Sequence, residues 1–429
     1  MRLSVTFAVA AWLFLAPIAT QQVPTRALRA PDAEFADPFS GIVAVLEIRD
    51  GRVIVADNRD RTLQLIDFST KTATPIGRMG AGPGEWIRPL RLLRMPGDTT
   101  FIYDMGNSRY LVVAPDGRAV RTYSPFADAA VRGRGVAPPP NTDDGRGRSG
   151  GAGRGGEAGL TMNTLASGGL TTATVLTATQ TDRTGRVYYT GFPVTAAARG
   201  VGAVDTFPLV RQMLTSSIAD TIVWLRNPPN ASEISGTTGA FRINAMRPFE
   251  SSDAWVAFPN GRVVIVRGAD YHLDAIQPNG SVTRGAPVPY TPIRVTEADK
   301  RQWRDARTGA TVTTPSGQVV PLANLPDPDS WPDRKSPFAA NSVFGAPNGE
   351  VWVFRQRAAD DRIPSADVFD ARGALVARVT LPADTRPIAL GLRGVYAIRT
   401  DADGLQYLQR YAMTWERCTT DLAENCRTR

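Results

Sequence analysis

The 429-residue sequence has one histidine, His272, two cysteines, Cys418 and Cys426, and three lysines, Lys71, Lys300 and Lys335. A single histidine excludes His-rich zinc sites and paired-histidine chemistry, and any catalytic triad has to pass through that one residue. The cysteines lie eight positions apart at the C-terminus, too close together to staple a core. In an oxidising compartment they would close a short loop as a disulfide, for which chain entropy gives roughly 2.5 kcal/mol. A redox pair would favour closer spacing, such as C-x-x-C. Because lysine is so scarce, 46 of the 49 basic residues are arginine. These are scattered and interleaved with carboxylates, so the formal charge of +8 reads as a preference for arginine, and no nucleic-acid partner is expected. EF-hand, P-loop, HExxH and post-strand GxGxxG patterns are missing as well.

Long apolar runs are confined to the N-terminus. Arg2 is followed by an apolar stretch from Leu3 to Leu15 and then by Ala16, Pro17, Ile18, Ala19 and Thr20. The pattern over 1–20 is that of a secretory signal peptide, with an apolar core shorter than the ~20 residues of a spanning helix. An uncleaved anchor is the alternative, and the cleavage bond stays open. The mature chain is expected to be exported, periplasmic or extracellular, monomeric, and free of membrane spans.

What the sequence has in abundance is punctuation, with 39 Gly and 33 Pro. A short extended run after a glycine turn recurs six times: Gly51 before RVIVAD, Gly97 before DTTFIYD, Gly185 before RVYYT, Gly261 before RVVIVR, Gly349 before EVWVFR and Gly394 before VYAIR. The shortest period is about 45 residues, within the range of blade-length repeats. Each run is rich in β-branched and aromatic residues that suit a pleated, buried surface. In the second copy four strands can be traced: Leu90 to Met95, Thr100 to Asp104, Arg109 to Ala114 and Ala119 to Tyr123. One four-stranded sheet cannot bury both its faces alone, so such units have to pack side by side around an axis. The expectation is an all-β fold, a six-bladed β-propeller of four-stranded antiparallel blades over 23–413. The sixth copy lacks a clear fourth strand before the tail at 414–429, and the segment from Val23 to Phe35 can supply it. The N- and C-terminal segments would then close one blade, leaving no open edges.

VADNRDRTLQLID at 55–67, GAGPGEWIRP at 80–89 and the weaker echo IYDMGNSRYLVVAPDG at 102–117 resemble the NHL-repeat type of six-bladed propeller, many of which are exported bacterial proteins. The resemblance implies a fold and a binding surface, not a reaction.

The two sides of such a ring differ in this sequence. Tight links such as Asp50-Gly51, Asp116-Gly117, Asn260-Gly261, Asn279-Gly280 and Asn348-Gly349 fall on one side, and there Asn-Gly and Asp-Gly predict two-residue hairpins. The other side carries the long insertions and the polar loops DNRDR, DMGNSR, RGADYH and RTDADG, so ligand contact is expected there. The insertion at 131–170 holds 12 Gly in 40 residues with repeated Arg-Gly pairs, a composition that predicts a mobile linker or lid. Within 286–338, Thr296 and Asp299 predict a capping box, and TEADKRQWRDAR a short helix with Trp303 turned inward.

Candidate ligand-face residues are Asp57, Asn58, Glu85, Asp104, Asn107, Asp270 and His272. Glu85, Asp57 and Asp104 are carboxylates that can suit Ca²⁺ or another hard cation, and a metal-bound water attacking a lactone or ester would follow, as in gluconolactonase-like propellers. Against this, Asp57 and Asp104 occupy equivalent places in successive repeats, the signature of a structural loop hydrogen bond. His272 can act as a general base or as a hydrogen-bonding residue between blades. The leading expectation is a non-catalytic binding or scaffold protein recognising a ligand, glycan or protein on the insertion-bearing face. The alternative is a divalent-metal-dependent hydrolase or lactonase using carboxylates around the central channel.

Overall fold

The computed structural model describes residues 23–124, 180–190, 206–216, 218–226, 232–236, 239–243, 248–308, 311–313, 319–324, 327–328 and 330–415. The expected signal peptide, the insertion at 131–170 and the Cys418/Cys426 pair lie outside these residues.

Six antiparallel sheets follow one another along the chain as the blades of a ring. Blade 1 runs from Ile42–Glu47 through Val53–Asp57 and Thr62–Asp67 to Thr72–Pro75, and blade 2 from Pro89–Arg94 to Ala119–Tyr123. Blade 3 spans Gln180–Thr181 to Ala219–Arg226, and blade 4 spans Ala254–Ala257 to Val282–Arg284. Blade 5 spans Phe338–Gly345 to Leu375–Thr380, and blade 6 is built on Thr385–Leu390, Gly394–Thr400 and Gln406–Ala412. The first strands of adjacent blades touch in an unbroken circuit, which places them innermost around the axis. Second strands such as Val53–Asp57 and Thr100–Asp104 are buried at every position, whereas the outermost Ala119–Tyr123 is half exposed. This gradient explains why the glycine-led runs are so apolar: they have a neighbouring blade on both faces.

Six apolar clusters hold the ring, one at each seam between blades. Ile54, Leu63, Trp86, Ile102 and Leu111 join blades 1 and 2. Tyr110, Val112, Val187 and Tyr189 join 2 and 3, and Tyr188, Leu209, Val263 and Ile265 join 3 and 4. Val264, Tyr271, Val351 and Phe369 join 4 and 5, while Trp352, Ala366, Val395 and Tyr411 join 5 and 6. Ile42, Val55, Ile66, Tyr396 and Leu408 close the circle between blades 6 and 1.

The termini meet as expected, with one addition. Strand β2 (Ala33–Glu34) pairs antiparallel with Gln406–Ala412 and is the fourth strand of blade 6. Arg399 donates to both Glu34 oxygens, at 3.0 and 2.8 Å, across this joint. Just before it, β1 (Thr25–Ala27) pairs parallel with Leu375–Thr380 as a fifth strand on blade 5. The N-terminal segment therefore stitches two blades, and Leu28 packs into their shared cluster.

The tight turns differ from the two-residue hairpins expected. In the turn at Asp50-Gly51, Ile48 N–H donates to the Arg52 carbonyl and Gly51 N–H to the Ile48 carbonyl, so three residues lie between the paired positions. The same pattern recurs at Gly117, Gly261, Gly280, Gly349 and Gly373. Only the glycine has positive φ, from 80° to 93° in these turns, because a type I turn closed by one left-handed residue asks nothing unusual of the preceding Asp or Asn. That preceding side chain instead accepts an amide two residues on, as Asp50 does from Arg52 N–H and Asn348 from Glu350 N–H.

One buried carboxylate lies beneath this side of the ring. Glu47 is 2% exposed, accepts from Arg393 N–H at 3.0 Å, and is pushed above the ordinary carboxyl range chiefly by burial. A raised carboxyl value means that its contribution to stability is complete below about pH 4.5 and is lost as pH rises through the folded-state value. Replacing Glu47 with Gln removes the charge and keeps an acceptor for Arg393. Glu47→Gln should therefore melt higher than the parent at pH 7, by on the order of 2 °C, and the gap should close on acidification below pH 4.5 in calorimetric scans.

Candidate functional site

Every long connection and every loop between second and third strands opens on one side of the ring. The connections from 123 to 180, 226 to 254 and 284 to 338 all start and finish there. Within the last, α1 (Glu297–Asp305) begins with the expected capping box. Thr296 Oγ1 accepts from Asp299 N–H at 3.3 Å, and Asp299 Oδ2 accepts from Thr296 N–H at 2.8 Å. Trp303 is half buried, edge-on to Trp331 at 5.2 Å, with Arg307 4.3 Å above its ring. Asp299 also pairs with Lys335 at 2.6 Å, both side chains being buried. Lys335 Nζ in turn donates to the Arg357 carbonyl, tying the insertion to the loop between the second and third strands of blade 5.

The structure brings four of the seven expected ligand-face residues into one network. Asp57 Oδ2 accepts from Ser40 and Gly41 N–H at 2.9 and 2.7 Å, and its Oδ1 from Arg59 and Asp60 N–H at 2.8 and 2.9 Å. Asp104 repeats the arrangement one blade later, accepting from Ile87, Arg88 and Gly106 N–H and from Asn107 Nδ2. Each aspartate thus fastens the segment arriving at an innermost strand to the loop beyond the second strand. Asn58 Oδ1 accepts from Arg88 Nε at 3.1 Å and links the two knots. Asn107 also donates to the Gly80 carbonyl at 2.9 Å.

Glu85 sits beside this network. Its carboxylate accepts from Gly82 N–H at 2.7 Å and from Arg78 Nε at 2.6 Å, and these two donors, the amide first, hold it below the ordinary carboxyl range. Trp86 is buried between blades 1 and 2, and its Nε1 donates to the Ile76 carbonyl at 2.8 Å. Among the described residues, no three His, Cys, Asp or Glu side chains are grouped to hold a metal ion.

Asp270 and His272 lie apart from the others, on blade 4. The imidazole is 3% exposed, with Nδ1 2.7 Å from Asp270 Oδ1 and Nε2 3.2 Å from Asp274 Oδ1. Asp274 is bonded by Arg267 Nε at 2.8 Å and Arg284 Nε at 3.2 Å. Burial acts to raise the Asp274 carboxyl, but these two guanidiniums outweigh it and hold the group below its ordinary range. Arg267 continues the chain to Asp253, whose carboxylate also accepts from Arg226 and Gly268 N–H. Asp253 does for blade 4 what Asp57 and Asp104 do for blades 1 and 2, but from the arriving segment.

A cleft of about 640 Å³ opens on the same side, at the seam between blades 5 and 6. Its lining comes from Arg357 and Arg362, from Asp384 in the link between the blades, and from Thr385, Arg386 and Pro387 at the start of the innermost strand. Thr400, Asp401 and Ala402 of blade 6 complete it. Apart from the loop RTDADG, these residues carry no signal in the sequence, because arginine is spread along the whole chain.

No family model matches the chain, and no curated protein does. Solved structures do. A member of the DUF4221 family from Bacteroides vulgatus is 10% identical, with 89% of this chain and 96% of that one covered at a TM-score of 0.44. The calcium-binding protein regucalcin from Agrobacterium tumefaciens is 11% identical, covering 92% and 99% at 0.36. Virginiamycin B lyase from Staphylococcus aureus is 9% identical, covering 86% and 80% at 0.32.

The Asp57 knot leads to a stability prediction. Asp57→Ala leaves four backbone amides without their acceptor and should cost about 2–4 kcal/mol in urea unfolding. Asp57→Asn should cost a comparable amount, since its amide nitrogen would face N–H donors. A residue held in reserve for a ligand would show little change in either variant.

Proposed function

We propose that the chain is an exported propeller without catalysis of its own that recognises a small-molecule, glycan or protein ligand on its insertion-bearing face. The observation that carries this reading is where the polar groups on that face are spent. Asp57 and Asp104 use both carboxylate oxygens on donors from their own loops, and Glu85 is committed to Gly82 and Arg78. His272 is enclosed between two carboxylates, with little surface on which to meet a substrate. A carboxylate that takes four N–H donors, as Asp57 does, has its lone pairs filled and none to turn toward a cation. The cleft between blades 5 and 6, by contrast, is open and lined by residues from three separate segments, as ligand sites on rigid scaffolds usually are. Export rests on the leader pattern at 1–20. Among the described residues, no helix is long and apolar enough to cross a membrane.

Two measurements test the reading. Trimming the insertions at 131–170 and 286–338 should abolish partner capture while the circular dichroism of the ring persists, and undiminished capture would overturn the assignment to this face. The melting temperature should be the same, within 1 °C or so, in EDTA and in millimolar Ca²⁺. A Ca²⁺-dependent rise of several degrees would instead support the metal-dependent hydrolase.

A further inference from the structure

The cleft between blades 5 and 6 has more guanidinium charge than its own carboxylates engage. Arg362 is spent: its Nε donates to Asp384 Oδ1 at 2.7 Å and its second nitrogen to Asp384 Oδ2. Asp401 has only one oxygen engaged, its Oδ1 accepting from Asp403 and Leu405 N–H at 3.0 and 2.9 Å within its own turn, and it forms no ion pair with Arg357 or Arg386 among the described residues. Arg357 and Arg386 remain. Arg357 donates to the Asp361 carbonyl at 3.0 Å, and Arg386 to the Ile42 carbonyl at 3.3 Å. Neither is within ion-pair distance of a carboxylate among the described residues, whereas Arg267, Arg355, Arg362 and Arg399 are.

Arg386 is the more exacting case. It stands at the start of an innermost strand, with its side chain exposed to water on the wall of the cleft. Nearby protein atoms lower its guanidinium from the ordinary value, and no acidic neighbour offsets the effect. A guanidinium that faces a carbonyl oxygen and no carboxylate can take an anion supplied from solution as its partner. The planar fork of arginine suits two oxygens of one carboxylate or phosphate. Thr400 is exposed on the same wall, with a hydroxyl that can donate to such an oxygen. The volume is that of a small-molecule site and well above that of a single ion.

We infer that this cleft is an oxyanion site, in which Arg386 and Arg357 hold the carboxylate or phosphate group of a small organic ligand. The inference rests on the binding reading above and deepens it by giving the ligand a chemistry. Arg357 is held in place by Lys335 of the insertion, which couples the site to the segment expected to matter for capture.

The test is titration calorimetry and thermal melting of the full chain with inorganic phosphate and with succinate, each against sodium chloride at matched ionic strength. At least one anion should bind with measurable heat and raise the melting temperature beyond chloride. Binding of phosphate alone assigns a phosphoryl ligand, and binding of succinate alone a carboxylate. Arg386→Gln and Arg357→Gln should each weaken that binding tenfold or more. Arg386→Lys, which keeps the charge but loses the fork, should fall between them and the parent. Arg372→Gln, in an exposed turn on the opposite side of the ring, should stay within twofold. Equal responses to phosphate, succinate and chloride would overturn the inference, as would unchanged affinity in folded Arg357→Gln. Partner capture lost on trimming the insertions but retained in Arg386→Gln would overturn the oxyanion site while leaving the binding face intact.

Discussion

Everything in this molecule depends on apolar packing across the seams between blades. A lone four-stranded sheet of these sequences would leave one face of Val53–Asp57 or Val351–Arg355 in water, yet both strands are buried on both faces. Burial of a Val, Ile or Phe side chain is worth about 1.5–3 kcal/mol, and each seam draws such residues from two sheets at once. A missing blade would remove two seams and expose the apolar faces of both its neighbours, so full burial belongs to the closed ring. The last seam, between blades 6 and 1, is made by residues from both ends of the described chain: Phe35, Phe39 and Ile42 against Tyr396, Ile398 and Leu408. Hydrogen bonds then fix the angles between blades. The Tyr271 hydroxyl of blade 4 donates to Asp367 of blade 5 at 2.7 Å, in a place where an unpaired carboxylate would be costly.

A ring held in this way has two unequal sides. One is sealed by three-residue turns whose single left-handed glycine and Asp or Asn acceptor leave no room for elaboration. The other receives every long connection, because there the chain must travel from an outermost strand back to the next innermost one. Length added on that path disturbs no seam, since loop-closure entropy grows slowly with length. The buried knots at Asp57, Asp104 and Asp253 keep this side ordered at the level of the ring, and the cleft lies above that level.

Much of the fold was legible in the sequence because the features that define it repeat. The glycine-led strands, the capping box at Thr296 and the N-terminal segment that completes blade 6 all follow from local patterns set against a period. The parallel pairing of β1 with blade 5 was not legible, since three residues carry no periodicity and their partner lies some 350 positions away. The turn type was misread because Asp-Gly serves two geometries, and only the backbone angles separate them. For the site, sequence reasoning found the aspartates that repeat in register, and repetition marks structure. Arg357 and Arg386 do not repeat, and in a chain with 46 arginines nothing singles them out until it is known which of them lack a carboxylate.

The cleft's position follows from the same geometry. Blades 2 to 3, 3 to 4 and 4 to 5 are joined by long connections, but blade 5 passes to blade 6 between Thr380 and Thr385, with Asp384 taking a left-handed angle of 61° to make the corner. So short a link lies close to the seam and spreads nothing over it. The innermost strand that follows slips in its pairing by one residue between Pro387 and Ala389, so Arg386, opposite Ile398, lies just before the irregularity. The lack of an insertion at this seam, together with a proline-bent inner strand, leaves space above the packed core. The long connection from blade 4 reaches its edge through Lys335 and the Arg357 carbonyl. An uncovered seam beside an anchored insertion gives a closed ring a concave, charged surface without weakening any of the six contacts that hold it shut.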